Sequence, residues 1–493
     1  MITPSPVPLS LATLGALPAA VQVPAYDRAS LSPGIVHVGP GNFHRAHQAV
    51  YLDALMRDGL AHDWGIVGAS IMSGDARLRE MLLAQDCLGT VVSQSPAGNR
   101  ARITGCQLDY LPVGDIETIL QAMADPATRI VSLTVTEGGY YLDATTGHVD
   151  LSHPALVADA TAALPATTFG ILAHALARRR AAGVPAFTIM SCDNLPHNGR
   201  VAREATVGTA RLIDAGLADW IDTHARFPNA MVDRITPATG ERERRLVREE
   251  HGIDDPVPVF CETFIQWVLE DDFALGRPPF ERAGVQIVDD VTPFETMKIR
   301  VLNGGHALLA YPAALLDIDY VDTAMQHPLI GTWLKKVEAD EVLPTLQPVP
   351  DTDTAIYLDT IIERFANPAI GDTVQRLAFD GSNRQPKFIV PTLADRLAAD
   401  ASIDGLAMGS AFWCRYCAGT SESGKPFAEN DGASARLRTA ALQAREDPSI
   451  WLAMHEVYGS LAEDERLQKA FAAALRAIWR DGTQAVLSHH LDN

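Results

Sequence analysis

At 493 residues the chain is too long for one ordinary hydrophobic core, and with 47% hydrophobic and 20% charged residues it excludes extended disorder, so two folded domains are expected. A formal net charge of −21 works against nucleic acid and anionic membrane surfaces as partners, since both need clustered positive charge. It leaves room for an anionic cofactor, because backbone amides and a few arginines can hold phosphates.

The chain opens with a proline-rich lead-in, residues 1–33, in which Pro4, Pro6, Pro8 and Pro18 interrupt the apolar stretch and no basic leader appears. No signal peptide is expected there, and no apolar run anywhere is long enough to cross a membrane, so a cytoplasmic location is expected. Strand-like and helix-like patterns then alternate. Ile35–Gly39 reads as a strand, Phe43–Arg57 as a helix, Trp64–Ser70 as a second strand and Ala76–Ala84 as a second helix. Between the first pair lies Gly39-Pro40-Gly41, a strand–glycine–helix turn of the form G-x-G-x-F-x-R. Such a turn lets the backbone approach a pyrophosphate at a helix N-terminus, with Val38 and Phe43 flanking it and Arg45 placed to meet phosphate. A bare turn with no ligand accounts for the same letters. After the second strand, where dinucleotide-binding folds carry an acidic residue for the ribose hydroxyls, stand Ile71 and Met72. Asp75 comes late, and Ser73 and Arg77 equally suit a 2′-phosphate, so NAD and NADP both stay open.

Further along, Gly89–Ser93 reads as strand, Ile116–Met123 as helix, Arg129–Thr136 as a β-branched strand, Thr167–Ala182 as helix and Ala186–Cys192 as strand. This alternation predicts an α/β domain, a mainly parallel sheet with helices on both faces, over 34–290. Its strand ends carry the next signals. VTEGGYY places Glu137 and Gly138 after a buried strand, either beside a ligand or in a plain turn. SCDNLPHNG places Asn194 at another strand end, as an amide donor to a developing oxyanion or as an Asx-turn residue. FPNAMVDRITP offers Asp233, either for substrate hydroxyls or as the partner of Arg234.

From about Val291 the texture turns helical, and residues 291–493 are expected to form a second, all-helical domain. Its first helix is the sharpest signal. In TPFETMKIRVLNGGH, Thr292 and Glu295 form a capping box with Pro293 at the first helical position. On an α-helix with Lys298 at zero, Glu295 falls at about 60°, His306 at about 80° and Asn303 at about 140°. A lysine in an apolar stretch, beside an amide and an imidazole, suits metal-free carbonyl–alcohol redox chemistry, because desolvation brings its pKa toward the range of a general base. Later, RLAFDGSNRQPKF gathers Arg376, Arg384 and Lys387 around a turn, for an oxygen-rich ligand or for neighbouring carboxylates. The six cysteines are scattered like reduced thiols, and Cys414 and Cys417 read as two thiols one helical turn apart, with no second pair for zinc.

Six motifs, IVHVGPGNFHRAHQAVYLD, VSLTVTEGGYY, SCDNLPHNG, FPNAMVDRITP, KIRVLNGGHALLAY and DGSNRQPKF, occur in order over residues 35–388. Together they resemble the polyol-specific long-chain dehydrogenases. The resemblance implies a Rossmann-type doubly wound domain, a mostly α-helical C-terminal domain, a cleft between them and no metal. It further implies a nicotinamide-dependent oxidoreductase that interconverts a sugar alcohol and its 2-ketose, D-mannitol and D-fructose first; members of the family vary in oligomeric state, and a monomer is expected here. By position, Lys298 is the implied general acid/base, Asn194 and Asn303 the oxyanion pair, and His306 the residue that orients the reacting oxygen. Asp233, Arg376 and Arg384 are implied to hold the remaining hydroxyls, and Glu295 to relay the proton of Lys298. Fructuronate and tagaturonate reductases share most of these motifs, which makes a hexuronate the alternative substrate, with Lys387 as its extra cation.

Overall fold

A computed structural model describes residues 5–143 and 146–492. The chain forms two compact units, the first ending at Thr292 and the second beginning at Pro293.

The first unit is organised by five parallel strands: β1 (Pro33–Val38), β2 (Gly65–Ala69), β3 (Gln107–Tyr110), β4 (Ile130–Leu133) and β5 (Thr188–Ser191). Their order across the sheet is β3-β2-β1-β4-β5. Side chains alternate between two cores because both faces are covered. Val36, Val38, Val131, Leu133 and Ile189 pack with the helices Ile116–Ala124 and Thr168–Ala182. Ile35, Ile130 and Met190 pack on the other side, against Leu52 and Leu55 of the helix Gln48–Arg57.

Three details depart from the sequence pattern. The single helix expected over Phe43–Arg57 is two, Asn42–Ala46 and Gln48–Arg57, broken where His47 takes φ −121° and ψ −90°. The expected strand at Gly89–Ser93 is not part of the parallel sheet. It runs Gly89–Ser95, turns back through a two-residue loop, and pairs antiparallel with Gly98–Thr104 and parallel with Val259–Glu262. The strand that does complete the parallel sheet, β3, reads QLDY and has too few apolar residues to signal itself. A third sheet joins Ala230–Asp233, Gln266–Glu270 and Gln286–Val288.

The second unit is built from helices, and its β-pairing among the described residues is confined to isolated bridges such as Tyr320 with Thr373. At its centre the helix Asp404–Cys417 is buried along almost its whole length and crosses the helix Gly304–Leu315 at Gly409, where any Cβ would lie 2.4 Å from Leu308. Cys414 and Cys417 share that central helix. Trp413 packs edge-on against Trp451, and Trp333 against Phe412. Among the described residues, no helix is long and apolar enough to cross a membrane.

Candidate active site

In the first unit the chain steps outward from β1 to β3 on one side, then returns to place β4 on the other. Beyond the carboxyl ends of β1 and β4 therefore lies a topological switch point, where open α/β sheets bind ligands. The Gly39–Gly41 turn sits there. Gly39 has φ +87°, and a Cβ on it would lie 2.3 Å from the carbonyl oxygen of Thr134, so only glycine fits between these strand ends. Thr134 Oγ1 donates to the Gly39 carbonyl at 2.6 Å.

Beneath the turn lies a buried network that the sequence reading missed. His37 Nε2 is 3.0 Å from Thr134 Oγ1, and its Nδ1 is 2.8 Å from Ser132 Oγ. The His44 ring stacks on it with centroids 3.5 Å apart. Burial pushes His37 down to about 3, so it is a neutral imidazole that joins β1 to β4 by hydrogen bonds alone. A histidine inside the otherwise apolar IVHV strand was the available signal.

Val38 is buried at the end of β1, and Phe43 stacks on His47 at 4.8 Å. Arg45 differs from expectation. Its guanidinium is buried and donates to the Val257 carbonyl at 2.5 Å and to Asn42 Oδ1 at 2.8 Å, with its pKa lowered by burial to about 10. It props the turn from inside instead of reaching outward for phosphate, because the short helix Asn42–Ala46 turns that face into the core. Glu137 and Gly138 lie exposed in a single helical turn after β4, and Asn194 lies exposed after β5. Asp233 is buried at the end of its strand, while the Arg234 guanidinium donates to the Glu262 carbonyl and to Ser93 Oγ. After β2, Met72 is 70% exposed and Ser73–Asp75 form a turn that leads into the next helix.

The second unit holds the lysine. The helix starts at Thr292, whose amide donates to Asp290 Oδ1 at 2.9 Å, so Asp290 supplies a cap upstream of the expected box. It is not a plain α-helix. Thr292–Met297 is α-helical, Lys298–Asn303 is wound as a π-helix, and Gly304–Leu315 returns to α. The angular positions expected for a uniform α-helix therefore do not hold through this segment. An i→i+5 winding brings residues five apart toward one face, and so draws Asn303 toward Lys298. Lys298 and Glu295 are both buried, and Asn303 and His306 are half-buried.

The His306 ring stacks on Phe365 at 4.4 Å, and its Nε2 is buried with no protein hydrogen-bond partner among the described residues. Burial, with Arg376, Arg364, Arg384 and Lys298 around it, holds His306 well below the ordinary histidine range. It is a neutral imidazole inside a ring of cations. Arg376 is exposed and its Nε donates to Asp372 Oδ1 at 2.6 Å. Arg384 donates to the Leu377 carbonyl at 3.0 Å. The segment expected as a turn is in part a helix, Gly381–Phe388, with Arg384 half-buried and Lys387 exposed.

Three residues here were absent from the sequence reading. Arg364 and Phe365 arrive from the helix Thr354–Phe365, where an arginine closing an apolar helix was the only clue. Glu338 opens a second π-helical segment, Glu338–Val342, and is fully buried with neither carboxyl oxygen hydrogen-bonded among the described residues. Its Oε1 occupies space 3.1 Å from where Gly305 would carry a Cβ, and the Phe365 ring edge lies 3.2 Å from the same point. Burial pushes the Glu338 carboxyl well above the usual carboxylate range, so it keeps its proton.

Comparison with known proteins covers nearly the whole chain. Residues 33–282 match the mannitol dehydrogenase Rossmann domain, and residues 290–479 match the mannitol dehydrogenase C-terminal domain. A mannitol 2-dehydrogenase of Cereibacter sphaeroides is 57% identical over 470 residues, which cover 95% of this chain and 98% of that protein. The solved ternary complex of Pseudomonas fluorescens mannitol 2-dehydrogenase with NAD and D-mannitol is 40% identical, with a TM-score of 0.88 over 99% of this chain and 100% of that one. A substrate-free D-sorbitol dehydrogenase is 39% identical, with a TM-score of 0.90 over 97% of this chain and 100% of that one.

Proposed function

The chain belongs to the mannitol dehydrogenase family, and on that premise we propose that it is an NAD-dependent polyol dehydrogenase that interconverts D-mannitol and D-fructose. The observation that carries the residue assignment is the buried Lys298 on its π-wound turn, with a histidine nearby that burial and surrounding cations keep neutral. The domain roles follow: residues 34–290 hold the dinucleotide, and residues 291–493 supply the base and most substrate contacts.

In mannitol oxidation Lys298 takes the proton of the reacting hydroxyl. Neutral His306 hydrogen-bonds that oxygen without competing for the proton, because burial and the nearby cations hold it well below the ordinary histidine range. Asn194 and Asn303 donate amide N–H groups to the negative charge that grows on the oxygen. Glu295, one turn before Lys298, passes the proton onward. Asp233, Arg376 and Arg384 hold the remaining hydroxyls, and the cations around His306 favour the alkoxide.

For the cofactor, Gly41 is informative: a Cβ there would come no nearer than 3.8 Å to another atom, so the missing side chain serves no internal packing. Val38, Gly39, Gly41, Phe43, Glu137 and Gly138 form the binding edge, with Arg45 supporting it from within. NAD, when bound, supplies the nicotinamide carbon that accepts hydride. The names of the solved relatives favour a polyol over a hexuronate. Six free thiols suit a reducing compartment, which supports the cytoplasmic reading, and the monomer is checked by the mass measured in solution.

The test pairs NADH and NADPH separately with D-fructose, D-xylulose, D-fructuronate and D-tagaturonate, following loss of the reduced nicotinamide's absorbance. Fructose-dependent oxidation of NADH is expected. Activity only with a uronate would move the substrate assignment and keep the mechanism, and a preference for NADPH would assign Ser73 and Arg77 to a 2′-phosphate.

A further inference from the structure

Directly before Asn194, at the end of β5, stands Asp193, buried and outside the reaction described above. Its carboxylate is filled by donors from a different strand end. Val135 N–H donates to Oδ2 at 3.1 Å, Thr136 N–H to Oδ1 at 2.8 Å, and Tyr140 O–H lies 2.7 Å from Oδ2. The Tyr140 hydroxyl is also 2.6 Å from Ser191 Oγ, and the Asp193 amide donates to that same Ser191 oxygen at 3.3 Å. The Asp193 carbonyl accepts from Asn198 Nδ2 at 3.0 Å, and Asn198 also accepts from and donates to the backbone of Ala230, in the strand that ends at Asp233. Asp193 thus joins the segments that follow β4 and β5 directly, and through Asn198 reaches the first residue of a third strand.

The segment it grips is strained. Thr136, a β-branched residue, has φ +63°, and Tyr141 at the other end of the turn has φ +54°. Such conformations persist only where surrounding bonds over-determine them. Two consecutive amides aimed at two oxygens of one carboxylate provide that, and leave Glu137 and Gly138 exposed on the turn. Three donors on its two oxygens tie Asp193 to the turn and to Tyr140.

We propose that Asp193 is a positioning residue that locks the Val135–Tyr140 turn to Asn194, so that the cofactor edge and the oxyanion donor are set by one carboxylate. The inference rests on the polyol-dehydrogenase reading for the roles of Asn194 and Glu137. The chemistry demands a carboxylate. An amide in its place keeps one acceptor oxygen and turns an N–H₂ donor toward the remaining donors, so at least one amide of the turn loses its partner.

The experiment compares D193N with Y140F, which removes one hydroxyl and leaves both amide bonds. NADH dissociation constants come from fluorescence titration, kcat and KM from mannitol oxidation, and the folded fraction from thermal melting. D193N is expected to weaken NADH binding about ten-fold or more and to lower kcat about ten-fold or more, with a smaller change in KM for mannitol. Y140F is expected to weaken NADH binding by about three-fold, with kcat nearly unchanged. Wild-type constants in D193N, or losses that track the unfolded fraction alone, would overturn the proposal. Should D193N fail to fold, Y140F decides, and an unchanged NADH dissociation constant overturns it. If the wild-type enzyme turns over neither mannitol nor fructose, the functional reading has failed, while NADH titration of the variants still tests the clamp.

Discussion

The crest of the parallel sheet and the lysine-bearing helix are built for chemistry in opposite ways. At the crest, the proposed binding edge is backbone: a glycine at φ +87°, a turn gripped by Asp193, and a neutral His37 underneath act on the path of the main chain. On the helix, the proposed chemistry falls to side chains, and the backbone's contribution is a π-wound turn that changes which of them share a face. Substitutions at the crest should therefore act on cofactor affinity, and substitutions along the helix on turnover or substrate affinity.

Lys298→Ala tests the helix with the largest expected effect, a loss in kcat of about 10²–10⁴-fold with NADH binding little changed. Normal turnover in the steady-state assay would remove Lys298 from the mechanism. At the crest, Gly39→Ala forces a methyl group to 2.3 Å from the Thr134 carbonyl oxygen, in a conformation that costs a residue with a side chain about 1–2 kcal/mol. NADH affinity should fall about ten-fold or more, equivalent to about 1.4 kcal/mol. An unaltered titration curve would place the dinucleotide elsewhere. Arg384→Ala should raise KM for mannitol about ten-fold and alter kcat less. If the reverse split is seen, Arg384 acts on the transition state and not on substrate binding.

The smallest effect concerns Glu338. Burial keeps its carboxyl protonated in the folded state well above the ordinary glutamate value of 4.5. As pH rises past that value the unfolded chain releases the proton while the folded chain keeps it, so stability falls with rising pH. Glu338→Gln, which keeps the shape and removes the titration, should raise the apparent melting temperature by a few degrees at about pH 8, at about 2–4 °C per kcal/mol, and by less at about pH 5. Equal shifts at both values would mean that Glu338 is ionised in the native state.

Much of this was legible locally. The β-branched runs of β1, β4 and β5, the Gly39–Gly41 turn and the helical texture after residue 290 are short-range signals, and the sheet and helices follow them. Lys298, Asn303 and His306 were singled out on one helix because a lysine in an apolar stretch is locally conspicuous. What was missed has a common cause. β3 and the Gly89–Thr104 hairpin take their place from pairing partners far along the chain. Arg364, Phe365 and Glu338 reach the His306 neighbourhood from other helices, and Arg45 looked like a phosphate ligand only because its core partner, Val257, is more than 200 residues away. The π-winding was equally hidden, since over six residues an apolar pattern does not distinguish it from an α-turn.

Residue order by itself determined the two-unit organisation, the alternation that builds a parallel sheet, the glycine turn at its crest and the family to which these motifs belong. Those features depend on backbone preference and hydrophobic periodicity, which act within a few residues. Only the tertiary structure decided the protonation of His37, His306 and Glu338, the inward turn of Arg45 and the clamp at Asp193. Each of these depends on burial and on charges or donors brought from distant segments, and a proton's free energy responds to that assembled environment.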